Sequence, residues 1–239
     1  MNEPCVSVVM PVYNEEVTVA LVIGRVLAQP CVRELVVVED CSRDRTAEIL
    51  AALAAKDPRI RLFRHKVNQG KGAAMRTGFR EATAPIVIVQ DADLEYDPAE
   101  YPVLIAPILD GDADVVYGSR FIGSSAHRVL FFWHYVANRA LTTISNMFTN
   151  LNLTDMETCF KAFRLEMLRR FELEESRFGF DPEITAKVAH LRARIYEVAI
   201  SYHGRTYDEG KKITWRDGFS VLRCILKYNL FRRDPVAPR

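Results

Sequence analysis

The five cysteines (Cys5, Cys31, Cys41, Cys159 and Cys224) form no CxxC pair, and their number is odd. That argues against a disulfide framework or a thiolate zinc site and fits a reducing compartment. A run of the ~20 apolar residues that a membrane-spanning helix needs is also missing. The nearest approach, residues 129–137, is short and contains His134. The amino terminus passes straight into a strand-like segment with no secretory leader pattern, so a cytoplasmic location is expected, with peripheral contact on the cytoplasmic membrane face left open. A formal net charge of +1 supplies no field that would gather nucleic acid, and none is expected as a partner. Neither GxxxxGK[ST] nor GxGxxG occurs, which disfavours a P-loop enzyme and a dinucleotide-dependent dehydrogenase. The five histidines are dispersed, and no His-carboxylate dyad or internal repeat is visible.

What is present points to one α/β core. The 239 residues are 49% hydrophobic and 26% charged, enough for a single soluble domain. Short β-branched runs at 6–13, 34–40, 59–65, 85–91 and 114–119 alternate with helical spacing at 15–29, 45–56 and 72–82. Continuous apolar strands separated by helices predict a mostly parallel sheet covered on both faces. The second half is more helical, with an amphipathic stretch at 128–150, a helix at 181–191, a strand at 196–202 and a last helix at 215–231. In that last helix Phe219, Leu222, Ile225, Leu226 and Leu230 share a face beside Arg223 and Lys227.

Polar clusters follow the strands directly, where an open parallel sheet places its ligand crevice. The sharpest is Gln90-Asp91-Ala92-Asp93. Two carboxylates one residue apart at the end of a buried strand can share a hard divalent cation, Mg2+ or Mn2+, that offsets charge on a departing diphosphate. A plain turn with two solvated aspartates is the rival reading of such a tripeptide, and its companions weigh against it. Pro11-Val12-Tyr13-Asn14-Glu15 and Glu39-Asp40-Cys41-Ser42 put further carboxylates at strand ends, with Asn14 and Asp44 also suited to capping the helices that follow. Asn68-Gln69-Gly70-Lys71-Gly72 is a glycine-rich turn into a helix. The aromatic run Phe131-Phe132-Trp133 with Tyr135 fits core packing, or else a wall for an apolar chain. The last helix fits packing on the domain or binding to a membrane surface.

In this order the motifs resemble glycosyltransferase family 2, with the GT-A fold. Val116-Tyr117-Gly118-Ser119-Arg120, Thr154-Asp155-Met156-Glu157-Thr158-Cys159 and the loop from Arg205 to Lys211 are similar to the polyprenyl-phosphate (dolichyl-phosphate) hexose synthases within it. The resemblance runs from about Val6 to Asp217. It implies a catalytic domain over 1–212, a basic amphipathic helix and tail over 213–239, and an inverting transfer of hexose from a nucleoside-diphosphate sugar (UDP-glucose or GDP-mannose) to a polyprenyl or dolichyl phosphate. By the same resemblance Pro11, Tyr13, Glu15, Asp40 and Lys71 hold the donor, and Asp91 and Asp93 hold the metal and the donor diphosphate. Arg120, Arg128, Arg205 and Lys211 hold the acceptor phosphate, and Asp155 and Glu157 lie near the sugar. Glu39 stands where the family usually has Asp, and Asp208 and Gly210 depart from its acceptor loop. A phosphate monoester, with a second pKa near ~6, is already mostly dianionic at pH 7 and needs no dedicated base. A hydroxyl acceptor would need one, with Asp155 the first candidate and Glu157 the second. A nucleotide-sugar-binding protein without catalysis is the non-enzymatic alternative.

Overall fold

The computed structural model describes residues 4–123, 128–129, 131–205 and 215–231. Seven strands form one sheet: β1 (Val6–Val12), β2 (Val32–Glu39), β3 (Ile60–Arg64), β4 (Ile86–Val89), β5 (Val115–Ser119), β6 (Lys161–Arg164) and β7 (Ile195–Ala199). Their spatial order is β3-β2-β1-β4-β6-β5-β7. All neighbours pair parallel except around β6, which runs antiparallel to β4 and to β5. The central strands are apolar on both faces because both are covered, as the unbroken Val and Ile runs require.

The helices are α1 (Val19–Leu27), α2 (Thr46–Ala54), α3 (Lys71–Glu81), α4 (Tyr101–Leu109), α5 (Phe132–Thr149), α6 (Leu165–Leu168), α7 (Phe180–His190) and α8 (Trp215–Leu226). Helix α3 lies close on the sheet because Gly78 has no side chain: a Cβ there would stand 2.2 Å from Val9 Cγ1. Helices α5, α7 and α8 pack on one another, and Met156 joins Val221 and Ile225 in a small core between them.

The capping expectations are met in part. Helix α1 begins only after Thr18, and Asn14 instead accepts the Arg43 N–H at 2.8 Å, tying the β1 loop to the β2 loop. Asp44 accepts the Thr46 N–H at 3.0 Å from two residues ahead of the start of α2. The last helix does not present the face its spacing suggested. Val221, Cys224, Ile225, Tyr228 and Asn229 are its buried residues among those described, Phe219 and Leu230 are exposed, and Lys227–Phe231 closes it with a π turn. Among the described residues no helix is long and apolar enough to cross a membrane.

Candidate active site at the carboxyl edge of the sheet

Strands β1, β2, β4, β5 and β7 point the same way, so their carboxyl ends open on one edge. Strand β6 runs the other way and therefore starts at that edge, which brings residues 154–160 to the same place. Just beyond β1, β2 and β4 the backbone turns left-handed at Asn14 (φ 53°), Cys41 (φ 60°) and Leu94 (φ 64°). Such angles are uncommon outside glycine, asparagine and aspartate; the two other non-glycine cases, Asn150 and Arg192, follow the ends of α5 and α7.

Acidic groups dominate the centre of this edge. Lys71 Nζ donates to Asp91 at 2.8 Å, and the ammonium beside Asp91 keeps that carboxyl below its ordinary range against the opposing effect of burial. Asp93 behaves oppositely: burial, then the charges of Asp91 and Glu95, push it up to about 7 although Arg205 lies 2.8 Å away. Arg205 also faces Glu15 and Glu95, each at 3.5 Å. Among the described residues this one guanidinium faces three carboxylates, Glu15, Asp93 and Glu95. Carboxylate oxygens are the donors that Mg2+ or Mn2+ takes, and Asp91 and Asp93 suit such an ion in chemistry, although among the described residues no three histidine, cysteine or carboxylate side chains converge on one point. Glu95 was not among the residues singled out in the sequence. It accepts the Arg205 N–H at 2.9 Å and the Tyr202 hydroxyl at 3.0 Å, so it shapes the approach to Arg205. Its position two residues after Asp93 was the signal available.

Asp40 is placed at the edge, but its carboxylate is committed. It accepts from His65 Nδ1 at 2.7 Å, Gln69 N at 2.9 Å, Gly70 N at 2.7 Å and Asn68 Nδ2 at 2.9 Å. The first N–H groups of the glycine turn are therefore used inside the protein, and Lys71 is what that turn delivers to the site. Glu39 is buried and accepts from Ser42 N and pairs with Arg64 at 2.8 Å. Pro11 and Tyr13 lie half-buried at the end of β1.

The remaining residues divide. Arg120 and the wholly buried Asp155 form a two-pronged pair at 2.6 and 2.8 Å, and the guanidinium lies 5.0 Å over the Tyr202 ring. Asp155 is enclosed, so it is poorly placed to take a proton from an acceptor hydroxyl. Glu157 lies between this pair and the buried Lys161–Asp181 pair. Its Oε1 makes no hydrogen bond, and burial together with the Asp181 charge pushes its carboxyl up to about 8. Arg128 is exposed and donates to Gly204 O at 3.0 Å, one residue before Arg205. Lys211, with Asp208 and Gly210, lies outside the described residues. The aromatic run is not core: Phe132 is 66% and Trp133 75% exposed, and Val129 beside them is 86% exposed.

Comparison with known proteins agrees with this architecture. The sequence pattern of glycosyl transferase family 2 matches residues 7–171. An undecaprenyl-phosphate mannosyltransferase of Micrococcus luteus is 29% identical over 86% of this chain and 86% of its own. A dolichol-phosphate mannosyltransferase of Pyrococcus furiosus is 30% identical over 93% of this chain, which spans 63% of that longer relative. Among solved structures, glucosyl-3-phosphoglycerate synthase from Mycobacterium tuberculosis, in complex with Mn2+, UDP and its glucosylated product, superposes with a TM-score of 0.72 at 21% identity, covering 94% of this chain and 79% of that one.

Proposed function

The chain belongs to glycosyl transferase family 2, and we propose that it moves a hexose from a nucleoside-diphosphate sugar to a polyprenyl or dolichyl phosphate. The observation that carries this reading is the acidic group at the sheet edge, where Glu15, Asp93 and Glu95 surround Arg205 beside the Asp91–Lys71 pair. A divalent cation there would offset the carboxylate charge and take its remaining ligands from the oxygens of the donor diphosphate. The sugar donor is UDP-glucose or GDP-mannose; the two relatives with mannosyltransferase names support the second, and the synthase solved with UDP supports the first.

Pro11, Tyr13 and Glu15 flank the nucleoside, and Asp40 acts one step back by fixing the turn that carries Lys71. Asp91 and Asp93 hold Mg2+ or Mn2+, which when bound neutralises the diphosphate as it leaves. Lys71 stays at Asp91 as a cation for the same oxygens. Arg205, Arg128 and Lys211 would hold the acceptor phosphate, where guanidinium forks suit bidentate contact. Arg120 holds Asp155 and Tyr202 in place behind them. Glu157, largely protonated at neutral pH, offers a donor to a sugar hydroxyl. The acceptor's phosphate oxygen attacks the anomeric carbon, the bond to the nucleoside diphosphate breaks, and configuration inverts.

A lipid acceptor requires a membrane face, and the exposed aromatics at the start of α5 supply it. No acidic residue occurs from Arg128 to Thr149, and Arg128 and Arg139 flank the apolar side chains. Aromatic rings with flanking cations favour the interface of an anionic bilayer.

The test is to incubate UDP- and GDP-hexoses with Mn2+ or Mg2+ and a short polyprenyl phosphate, scoring hexosyl-phospholipid by mass spectrometry. One donor should yield product, and Asp93→Asn should abolish it. Donor consumption without lipid product would move the acceptor to a hydroxyl.

A further inference from the structure

The glycine turn that delivers Lys71 is gripped from above by a distant segment. A Cβ at Gly70 would stand 2.3 Å from Ser176 O, and one at Gly72 2.3 Å from Glu175 O, so the backbone of residues 175–176 occupies the space of both missing side chains. Gly70 also has a φ of 92°, which side chains rarely adopt. Ala73 N donates to Ser176 O at 3.2 Å, and Arg76 Nη1 donates to Leu173 O at 3.0 Å and Glu174 O at 3.2 Å. The turn is thus clamped between Asp40 on one side and residues 173–176 on the other.

That segment is itself held from α7 and from the carboxyl-terminal helix. The buried Glu183 accepts the Glu174 and Glu175 N–H groups at 2.7 and 2.8 Å. The Glu175 carboxylate accepts from Arg223 Nη2 at 2.8 Å, Lys227 Nζ at 2.9 Å and Tyr228 Oη at 3.1 Å. Lys227 and Tyr228 stand in the π turn after α8, an irregularity often found at functional positions. Gly179 allows the helix in close, since a Cβ there would meet Cys224 Sγ at 2.5 Å and Glu175 Cγ at 3.0 Å.

We propose that Glu175 is a positioning residue that ties the carboxyl-terminal helix to the donor side of the active site, setting Lys71 against Asp91 from the far end of the sequence. Three groups of the helix hold its carboxylate, and its backbone holds the turn from which Lys71 reaches 2.8 Å to Asp91. The proposal rests on the reading that Lys71 and Asp91 face the donor diphosphate. It explains why the Gly70 and Gly72 positions are glycine, and it makes α8 part of the donor site without touching it.

The test is calorimetric titration of UDP and of GDP, with Mn2+, into the full-length wild type, Glu175→Ala, Glu175→Gln and Lys227→Met, with melting temperatures measured alongside. The nucleotide that binds wild type should bind roughly three- to thirtyfold more weakly to Glu175→Ala and Lys227→Met, the range expected for changes along a contact network. Glu175→Gln, which keeps an acceptor for the helix, should recover part of the loss. Arg194→Ala, which breaks the exposed pair with Asp114 at the opposite edge of the sheet, should bind as wild type does. Unchanged affinity in Glu175→Ala, Glu175→Gln and Lys227→Met, even with lowered melting temperatures, overturns the proposal. A wild type that binds neither nucleotide overturns the donor reading instead, and that failure is visible before any variant is compared.

Discussion

At the scale of single residues, Asp93 carries the most exacting chemistry. Its carboxyl is raised to about 7, whereas an unfolded aspartate titrates near ~3.9. Between those values the folded protein holds a proton that the unfolded chain has released, so stability of the metal-free protein falls as pH rises through about 7. Asp93→Asn removes the titration. In EDTA it should therefore raise the melting temperature at pH 8, with most of that gain gone by pH 5. A loss of stability at pH 8, or an equal gain at both values, would mean that Arg205 already balances the charge. The pairing of Asp91 with Asp93 was legible from two letters and a preceding strand. The different states of the two were not, because they depend on Lys71, twenty positions back, and on Arg205, more than a hundred ahead. Asp40 shows the same limit: a carboxylate at a strand end reads as a ligand-binding group, while the four donors that occupy it arrive from the next loop.

Elements of secondary structure were readable where both faces of a strand are buried and less so where a helix meets solvent on one side. The five first-half strands follow from their β-branched runs. Helix α4, with Pro102 and Pro107 in it, gave no usable signal. Helices α5 and α8 were recognised as helices, but spacing alone cannot say which apolar stripe is covered. In α8 the buried stripe is set by the Glu175 contacts and by Met156 beneath Val221 and Ile225. In α5 only Thr142 and Ser145 are buried, and at its start Phe132 and Trp133 are mostly exposed while Tyr135 meets the Phe121 ring edge-on. If that start lies on a bilayer, the double variant Phe132→Ser with Trp133→Ser should bind anionic vesicles roughly tenfold or more weakly, since each ring forfeits a burial of about 1.5–3 kcal/mol. The melting temperature should hardly change, because exposed substitutions cost little. Sedimentation with vesicles checks the first expectation and a thermal melt the second; equal vesicle binding would remove the membrane face from α5.

At the scale of the whole molecule, one antiparallel strand decides how the site is assembled. Had β6 run parallel, its amino end would sit at the far edge and residues 154–160 with it. Running antiparallel between β4 and β5, it brings Asp155, Glu157 and Cys159 to the edge where Asp91 and Arg120 already are. Periodicity predicts a strand, not its direction, so this half of the site became visible in the sequence only through the order of its motifs. On the proposed function, the donor half of this edge is built from β1, β2, β4 and the glycine turn, and the acceptor half from Arg128, Arg205 and the exposed start of α5. The central claim is that the acceptor's own phosphate is the nucleophile. The most direct measurement gives the enzyme, its preferred sugar nucleotide and a divalent cation two acceptors of identical chain, a polyprenyl phosphate and the corresponding polyprenol. A sugar-phosphate diester formed on the first, with no glycoside on the second, is the predicted result; transfer to the polyprenol at a comparable rate would contradict it.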